Sequence, residues 1–407
     1  MSHVVIVGGS VAGMKLAQNL HSEGFGGAIT LVDAEPNPLY DKPPLSKDYL
    51  SGASSGDRIQ LTSPEALADA GVTTKFGARA TALDPASTSV SLSDGTTLTY
   101  DKLVIATGAR ARRTPWADLP GVHVLRSRSD ADALRADLVA GRHLAVIGAG
   151  FIGAEVAATA VKAGLRVSII EPLEAPMGRA MNAQIGKIFA DKHSREGVGF
   201  RFGVSVERVD RLHDQCHLLL TDGSTLSVDA VLLGIGAIPN TEWLAGSGVS
   251  VDNGVICDAT LSAVGVPGVY AIGDVARFTN DRHPDSVRLE HWTSAADQAQ
   301  LVAHNIVHPE DLRAYDPTEY VWSDQYDWKI QIVGRTGSEH SRLIGEPAAG
   351  RFGVVYGVDG EAVDGAVIVN WPRALIDARR SVASRARTQD LVARLQAAIQ
   401  STSPATR

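Results

Sequence analysis

The chain has 407 residues, of which 44% are hydrophobic, a length and composition that suit two or three globular domains and exclude a disordered chain. Its formal net charge of −8 argues against nucleic acid as the main partner. The only cysteines, Cys216 and Cys257, cannot supply the four thiolates of an ordinary iron–sulfur cluster. Redox chemistry would therefore need a bound organic cofactor, and we expect no metal site.

The N-terminus favours a cytoplasmic protein. Met1-Ser2-His3 leads directly into the apolar run Val4-Val5-Ile6-Val7, which is not the pattern of a secretory signal. No apolar stretch reaches the roughly 18–20 residues needed to span a bilayer. We therefore expect no membrane association.

The first part of the chain predicts a strand, a glycine turn, a helix and a second strand. The run Val4–Val7 is followed by Gly8-Gly9-Ser10-Val11-Ala12-Gly13 and a helical stretch. The second strand, Ile29-Thr30-Leu31-Val32, ends in Asp33-Ala34-Glu35. Such a unit of about 30 residues is typical of a dinucleotide-binding half. Serine replaces the middle glycine of the motif here and is small enough to be tolerated.

The same pattern occurs a second time. Leu144-Ala145-Val146-Ile147 precedes Gly148-Ala149-Gly150-Phe151-Ile152-Gly153 and a helix to about Ala163. The next strand, Arg166–Ile170, ends in Glu171. In such a motif the first glycine makes the tight turn, the second admits a pyrophosphate, and the third lets helix and strand pack closely. Two copies predict two dinucleotides, FAD and a nicotinamide nucleotide.

The acids at the strand ends indicate how the two riboses are bound. Glu171 can accept hydrogen bonds from both ribose hydroxyls, and it would repel a 2′-phosphate. Since Pro172-Leu173-Glu174 provides no arginine to neutralise that phosphate, we expect NADH rather than NADPH. In the first unit either Asp33 or Glu35 could bind the FAD ribose.

Further segments carry a resemblance to a known family. The sequence resembles the FAD/NAD-linked reductases that serve the ferredoxins of Rieske-type dioxygenases and bacterial cytochromes P450, within the glutathione reductase fold superfamily. The matching segments are Tyr40-Asp41-Lys42-Pro43-Pro44-Leu45-Ser46-Lys47, Leu103-Val104-Ile105-Ala106-Thr107-Gly108-Ala109, Gly234-Ile235-Gly236-Ala237-Ile238-Pro239-Asn240, Val269-Tyr270-Ala271-Ile272-Gly273-Asp274-Val275-Ala276 and Val321-Trp322-Ser323-Asp324-Gln325-Tyr326.

The resemblance implies an α/β fold with two Rossmann-like domains, one for FAD and one for NAD, and a C-terminal α/β domain. The FAD domain would comprise residues 1–111 and 240–318, with the NAD domain inserted at 112–239. The C-terminal domain would comprise 319–407. The last ten or so residues, ending in Ser403–Arg407, are expected to form a frayed tail.

The resemblance also implies site residues. Lys47 would lie near flavin N5, paired with Glu155, and these two are the expected catalytic residues. Trp322 could equally be a core residue, and Arg126 alone would be taken for a surface arginine. The expected FAD contacts are Gly8, Ser10, Ala12, Gly13, Asp33, Glu35, Lys47, Ala80, Thr107, Gly108, Arg126, Gly273, Asp274, Trp292 and Trp322. The expected NAD contacts are Gly148, Gly150, Phe151, Ile152, Gly153, Glu155, Glu171 and Gly236.

The function implied is that of an NADH:ferredoxin oxidoreductase. Hydride would pass from NADH to FAD N5, and single electrons would then pass to a [2Fe-2S] ferredoxin that supplies a cytochrome P450 or a Rieske-type oxygenase. The enzyme is expected to be a monomer or a weak homodimer. Ferredoxins of this kind are usually acidic, so a basic docking patch is expected. Its candidate residues are Arg110, Arg112, Arg113, Arg335 and Arg342, and the alternative is that these are scattered, solvated arginines.

Several alternatives share the fold. A disulfide reductase needs a redox-active cysteine in the N-terminal segment, where neither Cys216 nor Cys257 lies. An NADH:rubredoxin or quinone reductase stays open, although residues 385–399 favour a solvated terminal helix over a membrane anchor. A non-catalytic flavoprotein that senses NADH is a third possibility.

Overall fold

The computed structural model describes residues 2–36, 38–280 and 282–400. Most of the expected tail, including Ser403–Arg407, therefore lies outside the described residues. The chain forms two compact units. The first unit comprises Met1–Asp41, Ser55–Arg110 and Ala237–Pro317, and the second comprises Lys42–Ser54, Ala111–Gly236 and Thr318–Arg407. The three-domain division with its boundaries stays a prediction.

Each unit contains both helices and strands. The described residues contain the helices α1 (Val11–Ser22), α2 (Pro64–Asp69), α3 (Arg128–Asp137), α4 (Phe151–Lys162), α5 (Ala183–Arg195), α6 (Trp292–Val307), α7 (Pro372–Ala383) and α8 (Thr388–Gln400). The strands of the first half are β1 (His3–Val7), β2 (Ala28–Asp33), β3 (Val72–Phe76), β4 (Ala80–Asp84), β5 (Ser89–Leu92), β6 (Thr97–Thr99), β7 (Lys102–Ile105), β8 (Ala109–Ala111), β9 (Val122–Val124), β10 (His143–Ile147), β11 (Arg166–Glu171), β12 (Val198–Phe202) and β13 (Val206–Leu212).

The described part of the second half of the chain contains the same number of strands. These are β14 (Gln215–Leu220), β15 (Thr225–Val228), β16 (Ala230–Leu233), β17 (Ala237–Pro239), β18 (Val255–Cys257), β19 (Val269–Ala271), β20 (Ala276–Asn280), β21 (His283–Val287), β22 (Tyr320–Gln325), β23 (Trp328–Gly334), β24 (Ser341–Glu346), β25 (Arg351–Tyr356) and β26 (Gly365–Val369). None of the described helices combines the length and the hydrophobicity that a membrane crossing requires.

The first unit is built around a parallel sheet with the strand order β19-β7-β1-β2-β3. Val4 of β1 is in register with Ile29 of β2 and with Lys102 of β7. Residues 4–7 of β1 are all apolar because helices cover parallel sheets on both faces, and Val4 and Ile6 are fully buried. The helices α1 and α6 pack against each other beside this sheet.

The second unit contains a parallel sheet of the same size, with the order β12-β11-β10-β16-β9. An antiparallel sheet, β22-β23-β26-β25-β24, forms its C-terminal part. Helices α7 and α8 pack on that sheet, and Leu391, Val392 and Leu395 of α8 lie in the core. The mixed α/β fold predicted from the sequence is therefore confirmed. The helix expected over 385–399 begins at Thr388 and has a buried apolar face.

Candidate functional site

The two predicted dinucleotide-binding halves have the same local architecture. The elements β1, α1 and β2 contain 5, 12 and 6 residues, and β10, α4 and β11 have the same lengths. The N–H of Gly8 donates to the carbonyl of Val32 at 2.8 Å, and the N–H of Gly148 donates to that of Ile170 at 2.8 Å. Each half thus makes the same turn between its first strand and its helix.

The first glycine of each turn lies against the backbone of a following segment. Gly8 has φ = +111°, and a Cβ added there would lie 2.1 Å from the carbonyl oxygen of Ala106. Gly148 has φ = +96°, and its Cβ would lie 2.5 Å from the carbonyl oxygen of Gly234. Both the conformation and the space require glycine at these positions.

The second and third motif positions differ in how much space surrounds them. A Cβ on Gly13 or Gly153 would lie 1.9 Å or 2.1 Å from the carbonyl oxygen of the first glycine in its own turn. A Cβ on Gly150 would meet nothing within 4 Å. Ser10 at the matching position has φ −68° and ψ −164°, against −73° and −176° for Gly150. Serine therefore leaves the course of the first turn unchanged.

The helices that follow the two turns begin without a side-chain cap. Neither α1 nor α4 has a capping side chain or an acidic residue in its first turn. By contrast, α3 begins with a capping box of Ser127 and Asp130, and Asn182 caps α5. Uncapped N–H groups at a helix start carry partial positive charge and favour phosphate. This arrangement fits the pyrophosphate of a dinucleotide in each half.

A carboxylate ends the second strand of each half. Asp33 Oδ2 accepts from the N–H of Gly9 at 2.5 Å, and Glu171 Oε2 accepts from that of Ala149 at 2.7 Å. The other oxygen of each carboxylate accepts from the backbone N–H two residues further along the chain, at 2.7 Å for Asp33 and 3.0 Å for Glu171. Glu35 instead accepts a hydrogen bond from the Tyr40 hydroxyl at 2.7 Å. Asp33, rather than Glu35, therefore occupies the position that Glu171 has in the second half.

The two expected catalytic residues lie together in the second unit. Pro43–Ser46 forms a 3-10 turn, and Lys47 follows it directly. Lys47 Nζ lies 2.6 Å from Oε2 of Glu155 on α4, and the side chains are 18% and 4% exposed. Lys47 Nζ also donates to the carbonyl of Pro43 at 3.1 Å. Because the turn is stiffened by two prolines, the ammonium group is held in place.

Two serines that the sequence did not assign a role complete this ion pair. Ser46 Oγ donates to Glu155 Oε2 at 2.5 Å, and Ser323 Oγ donates to Glu155 Oε1 at 2.7 Å. Thr159 Oγ1 on α4 donates to the carbonyl of Ser46 at 2.8 Å. A buried carboxylate on a largely apolar helix needs several hydrogen-bond donors, and that need was the one sequence signal for these partners.

In the first unit, the predicted Gly-Asp motif is held by a buried glutamine. Gly273 has φ = +74°, and its N–H donates to Gln298 Oε1 on α6 at 2.6 Å. The carbonyl of Asp274 accepts from Arg288 at 2.9 Å. Trp292, which begins α6, donates its indole N–H to Asp41 Oδ1 at 2.8 Å. The sequence did not single out Gln298.

Thr107 and Asn240, which belong to two of the segments that carry the resemblance, are bonded to each other within the first unit. Thr107 Oγ1 donates to the carbonyl of Asn240 at 2.8 Å. The Asn240 side chain donates in turn to the carbonyl of Thr107 at 2.8 Å. Gly108 follows with φ = +61°. These reciprocal bonds hold the backbone of the predicted FAD contacts Thr107 and Gly108.

The remaining predicted contacts have ordinary structural positions. Ala80 begins β4 and is buried, and Ala12 is buried on α1. Arg126 precedes α3, and its N–H donates to Asp130 at 3.0 Å. Trp322 on β22 is half-buried, with its ring 6.2 Å from that of Tyr320. The other members are Phe151 and Ile152, in the first turn of α4, and Gly236, which has φ = +98°. The nucleotide contacts of this set stay predictions.

The cysteines and the histidine cluster lie apart from the glycine turns in sequence. Cys216 and Cys257 are buried and free, and burial raises the pKa of the Cys257 thiol to about 12. Glu23, His304 and His308 come close to one another, but His308 Nε2 lies 3.3 Å from Glu23, and His304 Nε2 lies 3.0 Å from the carbonyl of Asp311. Each imidazole thus has a protein partner, and the expected absence of a metal site stays a prediction.

Comparisons with known proteins agree with this architecture. Residues 2–299 match the pyridine nucleotide-disulphide oxidoreductase family, and residues 320–398 match the family described as reductase C-terminal. Rhodocoxin reductase of Rhodococcus erythropolis is 36% identical over 94% of this chain and 89% of that protein. Putidaredoxin reductase of Pseudomonas putida is 34% identical over 94% of this chain and 92% of that protein. The crystal structure of the covalent putidaredoxin reductase–putidaredoxin complex matches with a TM-score of 0.90 at 31% identity, over 97% of this chain and 99% of that chain.

The glycine turn of the second unit yields a paired prediction. Gly148→Ala should lower the free energy of unfolding by at least ~2 kcal/mol, because the new Cβ meets a carbonyl oxygen in a left-handed conformation. Gly150→Ala should cost less than about 1 kcal/mol, the scale of a changed N-cap, since its Cβ points into open space. It should nevertheless weaken nucleotide binding, because that space is where we expect the pyrophosphate.

Urea unfolding and titration with NAD⁺ measure the two effects. A Gly148→Ala protein as stable as the wild type would contradict the predicted collision. Unchanged NAD⁺ affinity in Gly150→Ala would contradict the placement of the pyrophosphate.

Proposed function

The chain belongs to the pyridine nucleotide-disulphide oxidoreductase family, and we propose that it is an NADH-dependent FAD protein that passes electrons singly to a [2Fe-2S] ferredoxin. The observation that carries the proposal is the duplicated glycine turn, with an uncapped helix and a strand-end carboxylate in each copy. The relatives named as rhodocoxin reductase and putidaredoxin reductase support the acceptor class. The ferredoxin would supply a cytochrome P450 or a Rieske-type oxygenase in the cytoplasm.

The first unit is the proposed FAD site. The start of α1 would face the pyrophosphate, with Gly8, Ser10, Ala12 and Gly13 around it. Asp33 would bind the ribose, because its side chain has the same two backbone partners as Glu171. Gln298 would keep the N–H of Gly273, and with it the Gly273-Asp274 turn, in place. Bound FAD accepts a hydride and gives up its two electrons one at a time, which nicotinamide does not easily do.

The second unit is the proposed NADH site. The start of α4 would face the pyrophosphate, and Glu171 would accept hydrogen bonds from the adenosine ribose. Two backbone N–H groups already orient the Glu171 carboxylate, so its negative charge is fixed beside the ribose position. A 2′-phosphate would meet this charge directly, which favours NADH over NADPH.

Lys47 and Glu155 are the proposed catalytic pair. The Lys47 ammonium would place a positive charge near the flavin, where negative charge develops during reduction. Glu155 holds that ammonium with a contact of 2.6 Å, while Ser46 and Ser323 hold Glu155. The charge is therefore in position before the reaction, and little reorganisation is needed. No proton transfer by these residues is required, because a hydride carries its own electron pair.

The candidate docking arginines differ in their ion pairs. Arg110 pairs with Glu242 at 2.5 Å, Arg113 with Asp118, and Arg342 with Asp359. For Arg112 and Arg335, which are exposed, the structure shows no ion pair among residues 2–36, 38–280 and 282–400. An arginine that forms no ion pair offers more of its charge to an acidic partner, so we propose Arg112 and Arg335 as ferredoxin contacts. Asp364 interacts electrostatically with Arg335 but forms no ion pair with it.

The nucleotide preference can be tested at Glu171. Glu171→Gln should keep an acceptor for the N–H of Ala149 but remove the negative charge. The ratio of kcat/KM for NADH to that for NADPH should fall about tenfold, equal to ~1.4 kcal/mol. Glu174→Gln, an exposed carboxylate three residues further on, is the control. Equal ratios in the wild type and Glu171→Gln would refute the assignment.

The docking proposal is tested by charge reversal. Arg335→Glu should lower the rate of ferredoxin reduction by about tenfold or more, and the loss should shrink as salt is raised. Ferricyanide reduction by NADH should be unchanged, because it needs no docking surface. Arg342→Glu, whose charge Asp359 already balances in the wild type, should have a smaller effect. Equal loss of ferricyanide and ferredoxin reduction would rule out a docking role.

The function itself is tested by NADH-driven cytochrome c reduction with and without a [2Fe-2S] ferredoxin, beside a ferricyanide assay. We expect rapid ferricyanide reduction and a strong dependence of cytochrome c reduction on ferredoxin. Rapid ferricyanide reduction without stimulation by any [2Fe-2S] ferredoxin would favour rubredoxin or quinone as the acceptor. Failure of both assays would favour a protein that senses NADH without turnover.

A further inference from the structure

A chain of buried polar side chains leads away from Glu155 within the second unit. Gln325 Nε2 donates to Ser323 Oγ at 3.1 Å, and His193 Nε2 lies 2.9 Å from Gln325 Oε1. The Tyr326 hydroxyl lies 2.9 Å from His193 Nδ1. Ser323, Gln325 and His193 are 0%, 2% and 1% exposed. These groups come from β22 and α5, and together they connect Glu155 to a half-buried tyrosine.

The chemistry of the groups sets the direction of every hydrogen bond in the chain. The amide oxygen of Gln325 can only accept, so His193 must carry its proton on Nε2. Its Nδ1 then accepts from the Tyr326 hydroxyl. The Gln325 amide nitrogen donates to Ser323, whose single hydroxyl hydrogen goes to Glu155. All four donors therefore point toward the same carboxylate.

The protonation states of the groups agree with this direction. Burial lowers the pKa of His193, and the neighbouring Lys192 adds to the effect, while the Gln325 hydrogen bond and Glu196 oppose it. His193 is therefore neutral at pH 7, as a ring that accepts on Nδ1 must be. Burial raises the pKa of Tyr326, so its hydroxyl keeps the proton that it donates. Phe200, edge-on to His193, contributes no charge.

Each hydrogen-bond donor stabilises a buried charge more than an exposed one, since the dielectric constant around the buried charge is low. Ser323, Gln325 and His193 are buried and cannot turn toward water, and this series of donors ends at the Glu155 carboxylate. The network therefore orients Oε1 of the Glu155 carboxylate, leaving Oε2 for Lys47 and Ser46.

We propose that Ser323, Gln325, His193 and Tyr326 are positioning residues for hydride transfer, which act by holding the Glu155 carboxylate against Lys47. The proposal rests on the proposed catalytic role of Lys47 and Glu155. It assigns a function to His193, which lies more than 30 residues after the second glycine turn and the helix α4 that carries Glu155. A purely structural network would stabilise the fold but would not act through the charge of Glu155.

A double-mutant cycle on the FAD-loaded enzyme separates these two cases. Ser323→Ala removes one donor to a charged group, and we expect flavin reduction by NADH to slow about tenfold. In a Glu155→Gln background, which alone should slow the same step by about 10- to 100-fold, Ser323→Ala should have no further effect. His193→Leu should behave like Ser323→Ala, whereas His193→Gln, which keeps a donor for Gln325, should recover most of the rate.

A spectroscopic measurement supplies a readout that does not depend on turnover. In the ¹⁵N-histidine NMR spectrum of the holoenzyme, His193 should be the neutral Nε2–H tautomer. Its resonances should shift in Glu155→Gln and stay in place in Glu207→Gln, an exposed carboxylate of the same unit.

The possible outcomes distinguish the positioning role of the network from the catalytic role of Lys47 and Glu155 on which it rests. A normal rate in Glu155→Gln would overturn the role of Glu155, and the positioning role would fall with it. A slow Glu155→Gln enzyme in which Ser323→Ala causes its full additional loss would overturn the positioning role alone. A proton on Nδ1 of His193 would also overturn it, because the donor chain would then be broken at Gln325.

Discussion

Both nucleotide turns depend on the contact of one backbone with another. At Gly8 and at Gly148 the chain lies so close to a neighbouring carbonyl that a single methyl group could not be inserted. Because the third glycine of each motif lies equally close to the first, the helix begins directly beside the end of the strand. The amides of its first turn consequently stay free of side chains, and the strand-end carboxylate reaches the residue after the first glycine.

The two halves share this geometry but differ at one position that matters for the chemistry. The fifth residue of α1 is Lys15, and the fifth residue of α4 is Glu155. The second half thus has a buried anion where the first half has a cation. This anion needs hydrogen-bond donors from outside its own half. The Pro43–Ser46 turn with Lys47 and the strand β22 provide them.

The sequence predicted those parts of the fold and of the site that depend on residues close together in the chain. Both strand–turn–helix–strand units, their glycines and the acid Glu171 follow from spacing alone, since each lies within about 30 residues of the others. The choice between Asp33 and Glu35 could not be made in this way, because both follow the same strand and only the backbone partners distinguish them. The tolerance of Ser10 became understandable once the space beside Gly150 was known.

Contacts between residues far apart in the chain could not be predicted from the sequence, for a physical reason. Ser323 and Glu155 are 168 residues apart, and His193 and Gln325 are 132 apart, so no local pattern relates them. Each of these side chains alone has the appearance of an ordinary core or surface residue. The docking arginines show the same limit, because an acid such as Asp359, which neutralises Arg342, is identified only by its position in space.

The central claim is that electrons enter this protein as a pair and leave it singly. It is tested most directly by the anaerobic stoichiometry of the reaction, with a catalytic amount of the FAD-loaded protein, limiting NADH and an excess of oxidised [2Fe-2S] ferredoxin. Because a hydride carries two electrons and the cluster accepts one, we predict two reduced ferredoxins for each NADH consumed. NADH consumption without reduced ferredoxin, or bleaching of the flavin that the ferredoxin cannot reverse, would contradict the claim.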